Sequence, residues 1–240
     1  MPLSIETQLQ PRAHAAIRHM LWIDGVGAFL VCGGDQVTIG GPPRGDDDAD
    51  VPLLADLARR HATFIRTSGG AWLLEGDATV RLDGKLIDRR AALRDGSEIA
   101  LLRAGAPSRW AVRLRFRVPS ALSATARLEF ESDHRPATSV DAVVLMDQNC
   151  LLGPGPDCHV RCPDWPATVV LFRRDGAFHV TSRVGCAHQT ATRTLEASGS
   201  IESAQPNLFA DAHTIDDTGR IAPGQIITGP DLCFRLEELA

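Results

Sequence analysis

The stretch Ile39–Phe64, IGGPPRGDDDADVPLLADLARRHATF, decides how this chain is read. It opens on a glycine-proline turn, runs through Asp46, Asp47, Asp48 and Asp50, and closes on the basic-histidine cluster Arg59-Arg60-His61. At its ends lie the strand-like runs QVTIGG and ATFIRT. A glycine turn, an acidic run and a basic-histidine cluster together look like a loop built to hold something, such as a phosphate. Whether the groups needed for that are still present is the question the rest of the chain must answer.

Outward from this stretch the pattern repeats. MLWIDG, GAFLVCGG, AWLLEG, TVRLDG, EIALLR and WAVRLRFRV are short runs with strand character, most of them bounded by Gly, Asp or Pro. That is the pattern of an all-β sandwich or barrel. The repeated DG and GG steps suit tight hairpins that need positive φ. Only two stretches have helical patterning: IETQLQPRAHAAIRHM, interrupted by Pro11, and PLLADLARR, in which Leu53, Leu54 and Leu57 share a helical face.

The second half parallels the first. ARLEFES followed by DAVVLMDQNCLLGPGPD matches MLWIDG followed by GAFLVCGGDQVTIGGPP, and ATVVLFRRDGAFHVTS matches HATFIRTSGGAWLLEG. GRIAPGQIITGPDLCFRLEEL matches RRAALRDGSEIALLRAGAPSRWAVRLRF. Two copies of one β module are expected, over 18–118 and 123–240, with the boundary near Pro119 to Ser123. Gly185 to Asp217 is rich in Ser, Thr, Ala and Gln and reads as an extended loop with a strand or two inside it.

The chain has 240 residues, enough to bury a real core, and a net charge of −5. No basic excess points to nucleic acid as a partner. Lys85 is the only lysine and tyrosine is absent, a skew that reads as codon bias. A bilayer span takes about 20 apolar residues; the best run is broken by Asp24. No signal-peptide pattern stands at the N-terminus, so a cytoplasmic protein with no membrane partner is the expectation. Six cysteines, unevenly spread, do not read as a disulfide framework.

Five ordered segments of the first half resemble the forkhead-associated (FHA) domain, from Leu21 to Arg117. VTIGG (Val37 to Gly41) sits where that family has a strand ending in Gly-Arg. ADVPL (Ala49 to Leu53) stands for Asp-Ile-x-Leu, and LARRHATF (Leu57 to Phe64) for Val-Ser-Arg-x-His-Ala-x-Ile. LDGKLI (Leu82 to Ile87) resembles the Asn-Gly turn, and LRDGSEIAL (Leu93 to Leu101) resembles Leu-x-Asp-Gly-Asp-x-Ile. The resemblance implies an eleven-stranded β-sandwich whose loops at one end bind phosphothreonine peptides. The second half is similar only as a diverged copy. Gly153 keeps a turn glycine, but Pro154 follows it and no Ser-Arg-x-His is present.

Phosphothreonine brings nearly two negative charges and several acceptor oxygens, so its pocket must offer Arg forks, a hydroxyl and amides. Here the residues that the resemblance assigns to that task are replaced. Gly41 stands for the phosphate Arg, Ala58 for the Ser, and Asp83 for the Asn that bonds the peptide backbone. An ionised Asp cannot donate. Gly40, Arg59, His61, Gly84, Asp95 and Gly96 remain, and the resemblance makes them largely scaffold. The expectation is a non-catalytic protein-interaction module whose protein partner is not held through the usual pocket. The alternative is a phosphoprotein partner bound through a shifted pocket of Arg44, Arg59 and Arg60, with Asp83.

An alternative of another class is a metal-stabilised module or enzyme using Cys158, His159, Cys162, Cys186 and His188. Zinc prefers closely spaced thiolate and imidazole pairs. Cys158 to Cys162 has a permissible gap, but Cys186-Ala-His188 is too tight for a familiar pair, and buried structural cysteines are the simpler reading. The loop aspartates lack EF-hand spacing for Ca²⁺. No G-x-S-x-G, P-loop, H-E-x-x-H or dinucleotide fingerprint occurs. The prolines of GPGPD remove the amides a phosphate loop needs. No catalytic residue, metal or cofactor is expected.

Overall fold

Glycine, aspartate and proline divide the chain into extended segments, and every regular element among the described residues is a β-strand. The computed structural model describes residues 17–45, 48–103, 106–134, 136–182, 187–189, 213–214 and 219–239. The first half supplies β1 (Ile17–Ile23), β2 (Gly27–Gly33), β3 (Gln36–Gly40), β4 (Val51–Pro52), β5 (Ala62–Arg66) and β6 (Trp72–Glu75). It continues with β7 (Val80–Leu82), β8 (Lys85–Leu86), β9 (Arg90–Ala92), β10 (Glu98–Arg103) and β11 (Ala106–Arg117). The second half supplies β12 (Ala126–Phe130), β13 (Ala142–Met146), β14 (Asn149–Gly153), β15 (Val160–Arg161), β16 (Val169–Arg174) and β17 (Ala177–Ser182). Its last strands are β18 (Ala187–Gln189), β19 (His213–Thr214), β20 (Arg220–Ile221), β21 (Ile226–Gly229) and β22 (Leu232–Glu238). The fold is all-β and sandwich-like. No helix among the described residues is long and apolar enough to cross a membrane.

Each half contains one short parallel pairing. β3 pairs in parallel with β4 through Ile39↔Val51 and Gly40↔Pro52. β14 pairs in parallel with β15 through Leu152↔Val160 and Gly153↔Arg161. The next amide repeats as well: Leu53 N donates to the Gly40 carbonyl at 2.9 Å and Cys162 N to the Gly153 carbonyl at 2.8 Å. Even the strap before the short strand is repeated with different chemistry. Asp50 accepts the Thr38 amide at 2.7 Å, and His159 Nδ1 accepts the Leu151 amide at 2.9 Å.

The pairings cross the sequence boundary in both directions. The first hairpin, β1–β2, pairs through β1 with β22, the last strand of the second half. The hairpin β12–β13 pairs through β12 with β11, the last strand of the first half. β2 and β13 then meet in parallel, Phe29 opposite Ala142, and join everything into one 12-stranded sheet in the order β19-β18-β21-β22-β1-β2-β13-β12-β11-β10-β7-β8. Two 5-stranded sheets complete the fold, β4-β3-β5-β6-β9 and β15-β14-β16-β17-β20.

Side-chain alternation places these on opposite faces of the long sheet. Ala28, Leu30 and Cys32 of β2 and Val143 and Leu145 of β13 join a core with Ile39, Phe64, Trp72 and Leu74. Phe29 and Val31, with Ala142, Val144 and Met146, point the other way, into a core with Leu152, Trp165, Leu171 and Phe178. Because successive strand residues face opposite sides, a strand covered on both faces must be apolar throughout. AFLVC and AVVLM are such runs.

The two stretches with helical patterning are not helices where they are described. Ile17–Met20 forms the start of β1, and the rest of IETQLQPRAHAAIRHM lies outside the described residues. In PLLADLARR burial alternates: Leu53, Ala55 and Leu57 are inside while Leu54 is 61% exposed. The segment is an extended strap with a single bridge from Leu53 to Pro136, because burying three residues at spacing two needs no helical turn. Gly185 to Asp217 falls mostly outside the described residues; β18 and β19 are the strands found in it.

Candidate functional site

The loops at one end of the first sandwich bring together the β3–β4 connection and the strap Leu53–His61. Gly40 and Gly41 lie directly on the strap's backbone. Gly41 N donates to the Ala58 carbonyl at 2.8 Å, and His61 N to the Ile39 carbonyl at 2.9 Å. A Cβ on Gly40 would stand 1.7 Å from the Arg59 carbonyl oxygen, and one on Gly41 would stand 2.6 Å from that of Leu57. Both positions require glycine because backbone occupies the side-chain space. At Gly41, where the resemblance assigns a phosphate-binding Arg, the strap leaves no room for any side chain.

His61 fastens the strap from below. It is buried, its Nδ1 accepts the Ala58 amide at 3.3 Å, and its Nε2 lies 3.1 Å from Thr79 Oγ1. The Thr79 hydroxyl donates to Asp77 Oδ1, which leaves its oxygen free to accept, so the ring is the neutral tautomer protonated on Nε2. Burial holds the His61 pKa below its ordinary value, consistent with that neutral state. The hydroxyl and amide of Thr79 hold the Asp77 carboxyl below the usual range. This network spends Ala58, His61 and Thr79 on holding the loops together.

The acidic run is partly structural. Asp50 Oδ2 accepts both the amide and the hydroxyl of Thr38 at 2.7 Å, and so fixes the entry to β4. Asp48 accepts the Arg44 amide at 3.0 Å and the Gly45 amide at 3.2 Å. The Arg44 amide is the main cause that lowers the Asp48 pKa, joined by the charges of Arg59 and Arg18. Two amides of the loop, those of Arg44 and Gly45, are thus engaged by the chain's own carboxylate. Asp46 and Asp47 lie outside the described residues.

Among the candidate residues, Arg44, Arg59 and Arg60 are exposed. Arg59 and the Arg44 amide converge on Asp48. Asp83 and Gly84 form a tight turn with φ of 49° and 79°. Asp83 is taken up there, its Oδ1 accepting the Glu98 amide at 2.8 Å. Gly96, φ 82°, and Asp95 shape the turn before β10, where Asp95 Oδ1 accepts the Val118 amide at 2.9 Å.

Of the Cys/His candidates of the second half, Cys158, His159 and Cys162 lie among the described side chains, and each is taken up by its own neighbour. Cys158 lies 3.8 Å from Thr168 Oγ1, Cys162 faces the Val160 carbonyl at 3.7 Å, and His159 caps Leu151 through Nδ1. Burial raises the Cys162 pKa to about 12 and, with the Arg127 charge, lowers that of His159 to about 4. Thiols held protonated are poor metal ligands. No group of three or more His, Cys, Asp or Glu side chains among the described residues is placed to hold a metal ion. Cys186 lies outside the described residues.

No family model matches the chain, and no curated protein does. Among solved structures the chain is similar to the FHA domain of CT664 protein from Chlamydia trachomatis, with 23% identity over 35% of this chain and 88% of that one, at a TM-score of 0.27.

Proposed function

We propose that the chain is a non-catalytic protein-interaction module built from two FHA-like halves, and that it contacts its protein partner without the family's phosphothreonine pocket. The observation that carries this reading is the packing at Gly41. The strap carbonyl of Leu57 fills the space that a phosphate-binding arginine needs, and Ala58 and Asp83 lack the hydroxyl and the amide donor that would complete a pocket. Partner binding then rests on loop and sheet surface held rigid by the buried His61 network. Immobilised full-length protein probed with a phosphothreonine peptide library tests this. No phosphate-dependent binding is expected; binding abolished by Arg59→Ala or Arg44→Ala in a folded protein refutes it.

A second reading keeps phosphopeptide binding in a shifted pocket of Arg44, Arg59 and Arg60. It is favoured by Asp48, a carboxylate seated on two amides within the field of Arg59. On this reading Asp48 occupies the anion position, and Asp48→Asn uncovers phosphopeptide binding that Arg59→Ala then removes. A variant that stays silent in the same library dismisses it.

A further inference from the structure

Where β1 of the first half lies against the second half, one end of the second core stays open as a cavity of about 590 Å³. Ile17, Ile221 and Leu236 supply an apolar wall, and His19, Arg173, Arg220 and Glu238 supply the charged and titratable groups. His19 is only 5% exposed, and its ring lies edge-on to Phe178 with centroids 4.7 Å apart. Its Nδ1 is buried without a hydrogen-bond partner. The guanidinium of Arg173 sits over the same Phe178 ring at 5.7 Å, and its Nε is likewise buried and unpartnered. Neither Arg173 nor Arg220 takes part in an ion pair among the described residues.

These groups are out of keeping with their positions. His19 occupies an inward place on β1 whose neighbours on that face, Leu21 and Ile23, are core residues. Arg173 follows Leu171 on the inward face of β16. Apolar side chains at 19 and 173 would close this end of the core. Burying the His19 ring nitrogen and the Arg173 Nε with no hydrogen-bond partner is instead unfavourable, unless something that enters the cavity satisfies them. Two cations facing one carboxylate, Glu238, favour an anion. An apolar wall with a few convergent polar groups is the general form of a small-ligand site.

We propose that this cavity binds a small organic anion, a carboxylate or phosphate carried on an apolar body. Arg173 and Arg220 hold the anionic group, His19 Nδ1 contributes a hydrogen bond, and Ile17, Ile221 and Leu236 cover the body. The site depends on the exchanged hairpin, since Ile17 and His19 come from the first half and the remaining groups from the second.

The test is calorimetric titration of the full-length protein with benzoate, hexanoate, phenyl phosphate and inorganic phosphate. At least one organic anion is expected to bind saturably, and phenyl phosphate more tightly than inorganic phosphate, which lacks an apolar body. The benzoate and phenyl phosphate arms separate carboxylate from phosphate recognition. Arg173→Gln and Arg220→Ala should each weaken binding by about tenfold or more, the usual scale for loss of a charge-assisted hydrogen bond. Lys85→Ala, on β8 at the far edge of the long sheet, seven strands from β1, should leave it unchanged. Arg220 is exposed, so its variant stays informative even where Arg173→Gln fails to fold. The proposal is overturned by no saturable binding up to about 10 mM, a Kd range of negligible affinity. Binding of equal strength in Arg220→Ala, or binding of inorganic phosphate alone, overturns it as well.

Discussion

Substituting Gly40 by alanine adds one methyl group and should cost more than most core truncations. The new Cβ would lie 1.7 Å from the Arg59 carbonyl oxygen and 3.0 Å from that of Ala58. The strap has to retreat by roughly 1.5 Å before normal van der Waals separation is approached. It cannot do so freely, since the Gly41–Ala58, His61–Ile39 and Leu53–Gly40 backbone bonds, 2.8 to 2.9 Å long, hold it on β3. Losing two of these at about 1 kcal/mol each, with an overpacking cost of about 1–3 kcal/mol, gives a destabilisation of about 3–5 kcal/mol. For a chain of this size, that corresponds to a fall in Tm of roughly 6–20 °C. Urea unfolding followed by tryptophan fluorescence reads it, because Trp72 and Trp165 are buried one in each core. Gly69→Ala is the control: its Cβ would meet nothing closer than 3.9 Å, and no change beyond about 0.5 kcal/mol is expected. A Gly40→Ala variant as stable as that control would refute the reasoning that backbone fills the space beside Gly40 and Gly41.

Three further outcomes are expected. Gly41→Arg, which restores the residue type the resemblance assigns to that position, should loosen the strap and not create phosphopeptide binding; peptide titration checks it, and gain of binding contradicts it. Lowering pH should destabilise the fold through His159. Its folded pKa of about 4 lies below its ordinary 6.5, so the stabilisation is complete above pH 6.5 and is lost as pH falls towards 4. The loss is up to about 3 kcal/mol, and His159→Asn, which keeps an acceptor for the Leu151 amide, should flatten that slope in urea titrations at pH 4 to 7. Cleavage at an engineered protease site beside Leu122, which is 93% exposed, should leave the fragments together as one species near 25.8 kDa on native gel filtration. Fragments that separate without denaturant contradict the exchanged pairing of β1 with β22 and of β12 with β11.

Much of the fold is written locally. Runs such as GAFLVCGG, ATFIRT and EIALLR lie on strands because their turn residues and alternation act over a few positions. The strap was legible in composition but not in geometry. Leu54 is as apolar as Leu53, yet it is exposed, while small Ala55 is inside, so residue type misstated the period. The hairpin exchange was beyond local reading. Unbroken AFLVC and AVVLM indicate strands covered on both faces, but nothing in them names the neighbour, which the rest of the chain determines. At the site, Gly41 and Ala58 were readable as absent groups. The engagement of Asp48 with the loop amides was not, because a carboxylate capping its own loop looks in sequence like any solvated acid. His19 and Arg173 left a faint signal, polar residues at inward positions of otherwise apolar strands.

The central claim concerns phosphate. Capturing partners from the native cell on immobilised full-length protein, with and without phosphatase treatment, tests it most directly, alongside a variant carrying Arg44→Ala, Arg59→Ala and Arg60→Ala together. The same partner should be retained in all three conditions. A partner lost both on phosphatase treatment and in the folded triple variant would contradict it and restore the shifted pocket.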